Sequence, residues 1–344
     1  VKHVESETGD VDLRAAVSIF DALNSPLPEI IGNNITLTAE LGGLGVSGND
    51  LDIDSAHSGA GVLTSSSLYG NTYIIETDGN GTTTDDLSIN TVSTGSGYTA
   101  FITAPEGSIL NGRASGPNVL GGRTYLVARD NIGASGKPLT TEVGNIEGES
   151  ITGSTWIVND GDLTEGGVVE SSDPGMSAGD DITVTATSPI TVTEDIVSVG
   201  DITLTASEEE GDGDDITILT GRRIESTGGG TITFNVGDNF TLEAGAVITT
   251  TGDVIINADA GNADPGTGSI ITISGTIYAD NLYITSAGDE DEVNVGGNII
   301  VRNTIKVYGK ETADTMVFTK TMIASEIHIY GEAGDDTITI DIQP

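Results

Sequence analysis

The chain has 344 residues, 48 of them glycine, no cysteine, 4% aromatic side chains, and a net charge of −41 from 53 acids against 12 bases. That balance excludes nucleic acid, whose phosphates require a basic surface, and disfavours anionic membrane surfaces. The missing cysteines exclude disulfides, thiolate zinc sites and thiol nucleophiles, and no apolar run is long enough for a transmembrane helix, so no membrane insertion is expected.

Near the N-terminus, GDVDLRA (Gly9 to Ala15) and NNITLTA (Asn33 to Ala39) share one form: a turn residue, alternating apolar positions, then alanine. It recurs as GDDITVTA at Gly179, GDITLTA at Gly200, GDNFTLEA at Gly237 and GDVIINA at Gly252, and each instance marks the start of a coil. Helix formers at usable spacing occur at Leu13 to Leu23, where a capping helix and a strand followed by a turn read equally well. A longer repeat follows: LGVSGNDLDID (Leu44 to Asp54) matches IGASGKPLTTE (Ile132 to Glu142), which places the sole tryptophan, Trp156, where Tyr73 stands in the first copy. Gly79 to Asp86 and Ser93 to Tyr98 read as loops thrown out of the coil.

Residues 1–165 are therefore expected to form a solenoid of longer, irregular repeats, residues 166–178 a loop or boundary, and residues 179–344 regular coils. In the last part Ile182, Ile202, Ile232, Val254, Leu282, Ile305 and Ile327 are taken as equivalent strand starts. The two wide spacings are explained by insertions at Glu208 to Asp215 and Ala258 to Gly268, the places where a solenoid would carry recognition.

The last sixty residues repeat one pattern three times: LYITSAGDEDEVNV from Leu282, IKVYGKETADTMVF from Ile305 and IHIYGEAGDDTITI from Ile327. The alternation predicts two strands joined by a turn in each block, and starts 23 and 22 residues apart predict stacked copies. The fold expected is all-β: a single elongated right-handed parallel β-helix with loop insertions and about fifteen coils.

Stacking puts Asp291, Asp314 and Asp336 in one column at the spacing of neighbouring strands, about 4.8 Å. Asp289 and Asp335 deepen its acidity. Like charges that close require shared protons, a lysine such as Lys310, or a cation; calcium, which takes six to eight oxygens, would be held by Asp289, Asp291, Asp314, Asp335 and Asp336, and the alternative is a solvated acidic surface that holds no metal.

GEAGDDTIT (Gly331 to Thr339) resembles one copy of the nonapeptide of repeats-in-toxin proteins, with Glu332 breaking its first glycine pair. The GDITLTA-type strand starts and the paired repeats resemble the filamentous-haemagglutinin-like β-helices of giant bacterial adhesins. That resemblance implies an exported module at the bacterial surface or in a filament or biofilm. Such a module adheres or spaces other domains, and its partners are neighbouring modules, end-to-end copies or surface glycans. The chain is read as a mature piece or excised segment of something longer.

The competing class is a carbohydrate-active β-helix, a polysaccharide lyase or hydrolase. Arg222, Arg223, Arg302 and Lys306 are the bases a lyase would need, and surface ion pairing accounts for each of them more simply. His3, His57 and His328 are scattered, no nucleophile elbow, phosphate loop or zinc helix occurs, and a rod of this charge repels acidic polysaccharides. No catalytic residue is assigned, and the chain is expected not to be an enzyme.

Overall fold

A computed structural model describes the chain apart from residues 26, 56, 58, 60, 78–84, 170–173, 209–212, 262–266 and 343–344. The loop expected at Gly79 to Asp86 lies largely outside the described residues, and those at Glu208 to Asp215 and Ala258 to Gly268 and the 166–178 boundary lie partly outside them. The described residues contain strands and turns and no helix; Leu13 to Leu23, left open above, opens in the strand Val11–Ala15.

The chain divides into two compact units, one of Val1–Asp160 with Gly167–Ser171 and the other of Gly161–Gly166 with Ser172–Pro344. Each is a stack of parallel strands, and together they make about 13 turns of β-solenoid. Fewer turns form than the expected fifteen because many coils exceed 22 residues. Val11 lies against Ile35 and Ile35 against Leu63, offsets of 24 and 28, and Ile202 lies against Ile232, an offset of 30.

In the second unit all seven expected strand starts fall in one register: Ile182, Ile202, Ile232, Val254, Leu282, Ile305 and Ile327 pair in succession. Up to Thr315–Phe318 buried residues alternate with more exposed ones, as in ITVTA at Ile182–Ala186, so one face of these rungs is apolar and enclosed. Burying one such aliphatic side chain is worth about 1.5–3 kcal/mol, and the ladder multiplies it coil by coil. The final repeats contain a third strand that alternation did not reveal. Asn298–Val301 continues a stack running from Ile196–Ser198 through Arg223–Ser226, Val247–Thr250 and Thr276–Ala279. It follows Glu292–Val295 across only Gly296 and Gly297, too short a break to read as a turn between separate strands.

In the first unit the longer repeat has a common local geometry. Gly45 and Gly133 both sit at positive φ (64° and 72°), where a side chain would be strained. Each precedes a tight reciprocal pair, Val46 with Asn49 and Ala134 with Lys137. Tyr73 N–H donates to the Leu44 carbonyl and Trp156 N–H to that of Ile132, both at 2.7 Å, so the tryptophan does occupy the tyrosine's place, half-buried on the coil.

Candidate metal centre

Three strands of the second unit, Glu292–Val295, Thr315–Phe318 and Thr337–Ile340, stack with Glu292 against Thr315 and Thr315 against Thr337. Asp291, Asp314 and Asp336 each precede one of these strands and therefore fall in line. The line is knit by backbone: Asp291 N–H donates to Asp314 Oδ1 at 3.0 Å and Asp314 N–H to Asp336 Oδ1 at 3.1 Å. One rung earlier Ser269 donates to Asp291 Oδ1 from its N–H (2.6 Å) and its hydroxyl (2.9 Å). Further back Asp214 N–H donates to Asp238 Oδ2 at 2.7 Å. Each carboxylate thus satisfies an amide of the preceding coil at a corner where the sheet ladder is interrupted.

The fifth residue of the repeats that start at Ile305 and Ile327 is glycine for a reason. A methyl group on Gly309 would collide with Asp314 Oδ2, and one on Gly331 with Asp336 Oδ2, so the carboxylate fills the space a side chain would take. Gly309→Ala is expected to destabilise by about 1–3 kcal/mol, since the Asp314 carboxylate is tied to the Asp291 N–H of the preceding coil and cannot retreat. A thermal melt equal to the unsubstituted chain's would refute this packing.

Asp291 and Asp314 are buried, Asp336 is half-buried, Asp289 is half-buried in its turn and Asp335 is exposed. Burial, joined by the charges of Asp291, Asp336 and Glu290, pushes the Asp314 carboxyl up to about 6 against the lowering effect of the Asp291 N–H. Asp291 is also raised by burial, opposed by its bonds from Ser269 and Ser286. Asp291 Oδ2 and Asp314 Oδ2 are both buried and accept no hydrogen bond, so these are the oxygens of the column best placed to meet a cation. The column shares one corner rather than one point. Among the described residues, three acidic ligand atoms converge to within 4.8 Å of one another at Asp21, Glu29 and Asp52 in the first unit, which sequence reasoning did not single out. Glu29 and Asp52 are neighbours on adjacent coils, because Ile30 pairs with Ile53; the coil period alone would have found them.

Two other buried acids of that unit escaped notice. Glu76 takes Ser55 N–H at 2.6 Å and Ser55 Oγ at 2.8 Å, and burial raises its carboxyl well above the ordinary value. Asp54 meets His57 Nδ1 at 2.6 Å. The signal was hidden because LDID at Leu51–Asp54 reads as alternating yet is buried at all four positions.

The chain matches no family model, no curated protein and no solved structure. The reading of its sites rests on their own geometry. Three of the four bases named for a lyase have partners: Arg223 pairs with Asp195 at 3.5 Å and with Glu225, Arg302 pairs with Asp280 at 3.2 Å, and Lys306 lies over the Tyr283 ring at 6.0 Å.

Proposed function

We propose that the chain is a structural and adhesive extracellular module of a large bacterial surface protein or filament, of the filamentous-haemagglutinin-like or repeats-in-toxin kind. The observation that carries this reading is the ladder of the second unit, in which the strand starts from Ile182 to Ile327 pair in succession in one register. A coil of a neighbouring module or of a second copy has the chemistry and the period to extend such a ladder end to end. Ile338 and Ile340 lie in its last described coil and are 43% and 56% exposed. The acidic exterior opposes sideways association, so stacking is directed along the ladder. The stacked rings of Tyr308 and Tyr330, 5.1 Å apart, supply flat apolar faces of the kind surface glycans bind.

Light scattering across a concentration series is expected to show association that Ile338→Asp with Ile340→Asp abolishes; strictly monomeric behaviour at every concentration would remove self-stacking from the proposal. Release of unsaturated or reducing ends from a polysaccharide panel would replace the reading with the enzymatic one. Calcium held along the column through Asp314 Oδ2, with Asp289 and Asp335 from the turns, predicts a higher melting temperature in millimolar calcium than in EDTA, and a smaller shift in Asp314→Asn.

A further inference from the structure

The three carboxylates that converge in the first unit come from separate segments. Asp21 lies in the turn after Ile19, Glu29 opens the short strand Ile30–Ile31, and Asp52 lies within Leu51–Asp54 on the next coil. All three are buried, and one oxygen from each lies within 4.8 Å of the others. Two features hold them there. Asp21 accepts the N–H groups of Leu23 (2.8 Å) and Asn24, the latter at a positive φ of 49°, so the chain wraps around that carboxylate. Glu29 accepts the Ser25 hydroxyl on Oε1 at 2.8 Å.

What is left over points to a ligand. Glu29 is 1% exposed, and its Oε2 accepts no hydrogen bond. Asn49 donates through Nδ2 to the Asp21 carbonyl at 3.1 Å, and its own Oδ1 is buried without a donor. A buried carboxylate oxygen with no partner is costly unless a cation meets it or a proton is shared with Asp52, whose carboxyl is pushed up to about 7 by burial and the charges of Glu29, Asp21 and Asp50. Lys2 and His3 line the concavity that reaches Glu29, but His3 pairs with Glu5, and no described ion pair joins Lys2 to the three acids.

We propose that Asp21, Glu29 and Asp52, assisted by Asn49 Oδ1, bind one divalent cation of the calcium type, which fastens the turn after Ile19 to the first two coils. Three carboxylates and an amide oxygen are hard donors, with no imidazole or thiolate among them, and this excludes the zinc and copper class. The donor set favours calcium over magnesium: magnesium keeps several waters and takes one or two carboxylates, whereas three carboxylates and an amide oxygen from the protein suit calcium. The concavity lined by Lys2, Ser25 and Glu29 gives the ion and its remaining water ligands a route in. The site is independent of the adhesive reading and of the aspartate column, which belongs to the other unit.

The test is calorimetric titration of the whole chain with calcium chloride after EDTA treatment and desalting, repeated with magnesium. One site with a dissociation constant of about 10⁻⁴ to 10⁻³ M, the range of extracellular calcium modules, is expected, with at least tenfold weaker magnesium binding. Glu29→Gln with Asp52→Asn should lose that site, while Asp314→Asn should keep it, which separates it from the column. Relief of carboxylate repulsion should leave the double variant folded in EDTA, with a melting temperature at or above that of the unsubstituted chain. If it does not fold, Asp21→Asn and Asn49→Ala are titrated instead, each expected to weaken binding at least tenfold. Unchanged calcium stoichiometry and affinity in the variants would overturn the proposal. So would a complete lack of binding at millimolar calcium, or a site that appears in the unsubstituted chain only after Lys2→Ala, which would show that the lysine ammonium serves these acids.

Discussion

Phe234→Ala is expected to cost about 3–5 kcal/mol and to lower the melting temperature by roughly 10 °C. Phe234 lies inside the second unit with no exposed surface, between Leu204 of the previous coil and Ile256 of the next, and its ring meets that of Phe240 at 4.9 Å, tilted by 51°. Those neighbours belong to backbone ladders whose spacing of about 4.8 Å is set by hydrogen bonds, so the coils cannot close on the space left behind. The loss is therefore the transfer energy of the ring plus an unrelaxed cavity. Phe101→Ala is the control. That ring lies on the outer, half-buried face, stacked on Tyr73 at 4.5 Å, and its removal should cost less than about 1.5 kcal/mol. Equal drops in melting temperature for the two variants would mean that the interior is not packed as a ladder.

In EDTA and at constant ionic strength, the protein is expected to melt several degrees higher at pH 5 than at pH 7.5. The usual carboxylate is stabilised in its charged form by folding and gives the opposite slope. Here the buried acids go the other way. Burial raises Glu76 well above its ordinary value, helped by the charges of Asp54 and Asp85 and opposed by the two bonds from Ser55. Asp314 is raised from 3.8 to about 6. Between those two values the folded protein holds a proton that the unfolded chain has released, so stability falls as pH rises through this window and stays low above it. The combined effect is on the order of 1–2 kcal/mol, allowing for solvent screening at the column. Asp314→Asn should flatten the slope between pH 4 and 6, since the amide needs no proton. A melting temperature that rises steadily from pH 5 to 7.5 would show that these carboxylates are held charged by partners.

The register of the second unit was legible in the sequence to the residue. Ile182, Ile202, Ile232 and their successors each follow a polar residue and carry the same alternation after them, and a parallel stack has to align like with like to keep the apolar faces inside. The aspartate column followed from that alignment. Its direction did not: nothing in the spacing says that each carboxylate turns back to an amide of the preceding coil, because that depends on where the ladder is interrupted at the corner. The third strand of the late coils was missed because Thr276–Ala279 and Asn298–Val301 are flanked by breaks of two residues, which the pattern of alternation cannot separate from a continuous strand.

The sequence by itself determined a β-solenoid, its coil starts and its acidic, cysteine-free character, since these are properties of periodicity and composition that each coil repeats. Tertiary structure alone decided which of the 53 acids matter. Glu29 and Asp52 meet through the coil register, but Asp21 sits in irregular chain, where no period applies, and a turn brings it to them. Charge becomes chemistry only where folding removes water from several carboxylates at one point, and that convergence is a property of three dimensions.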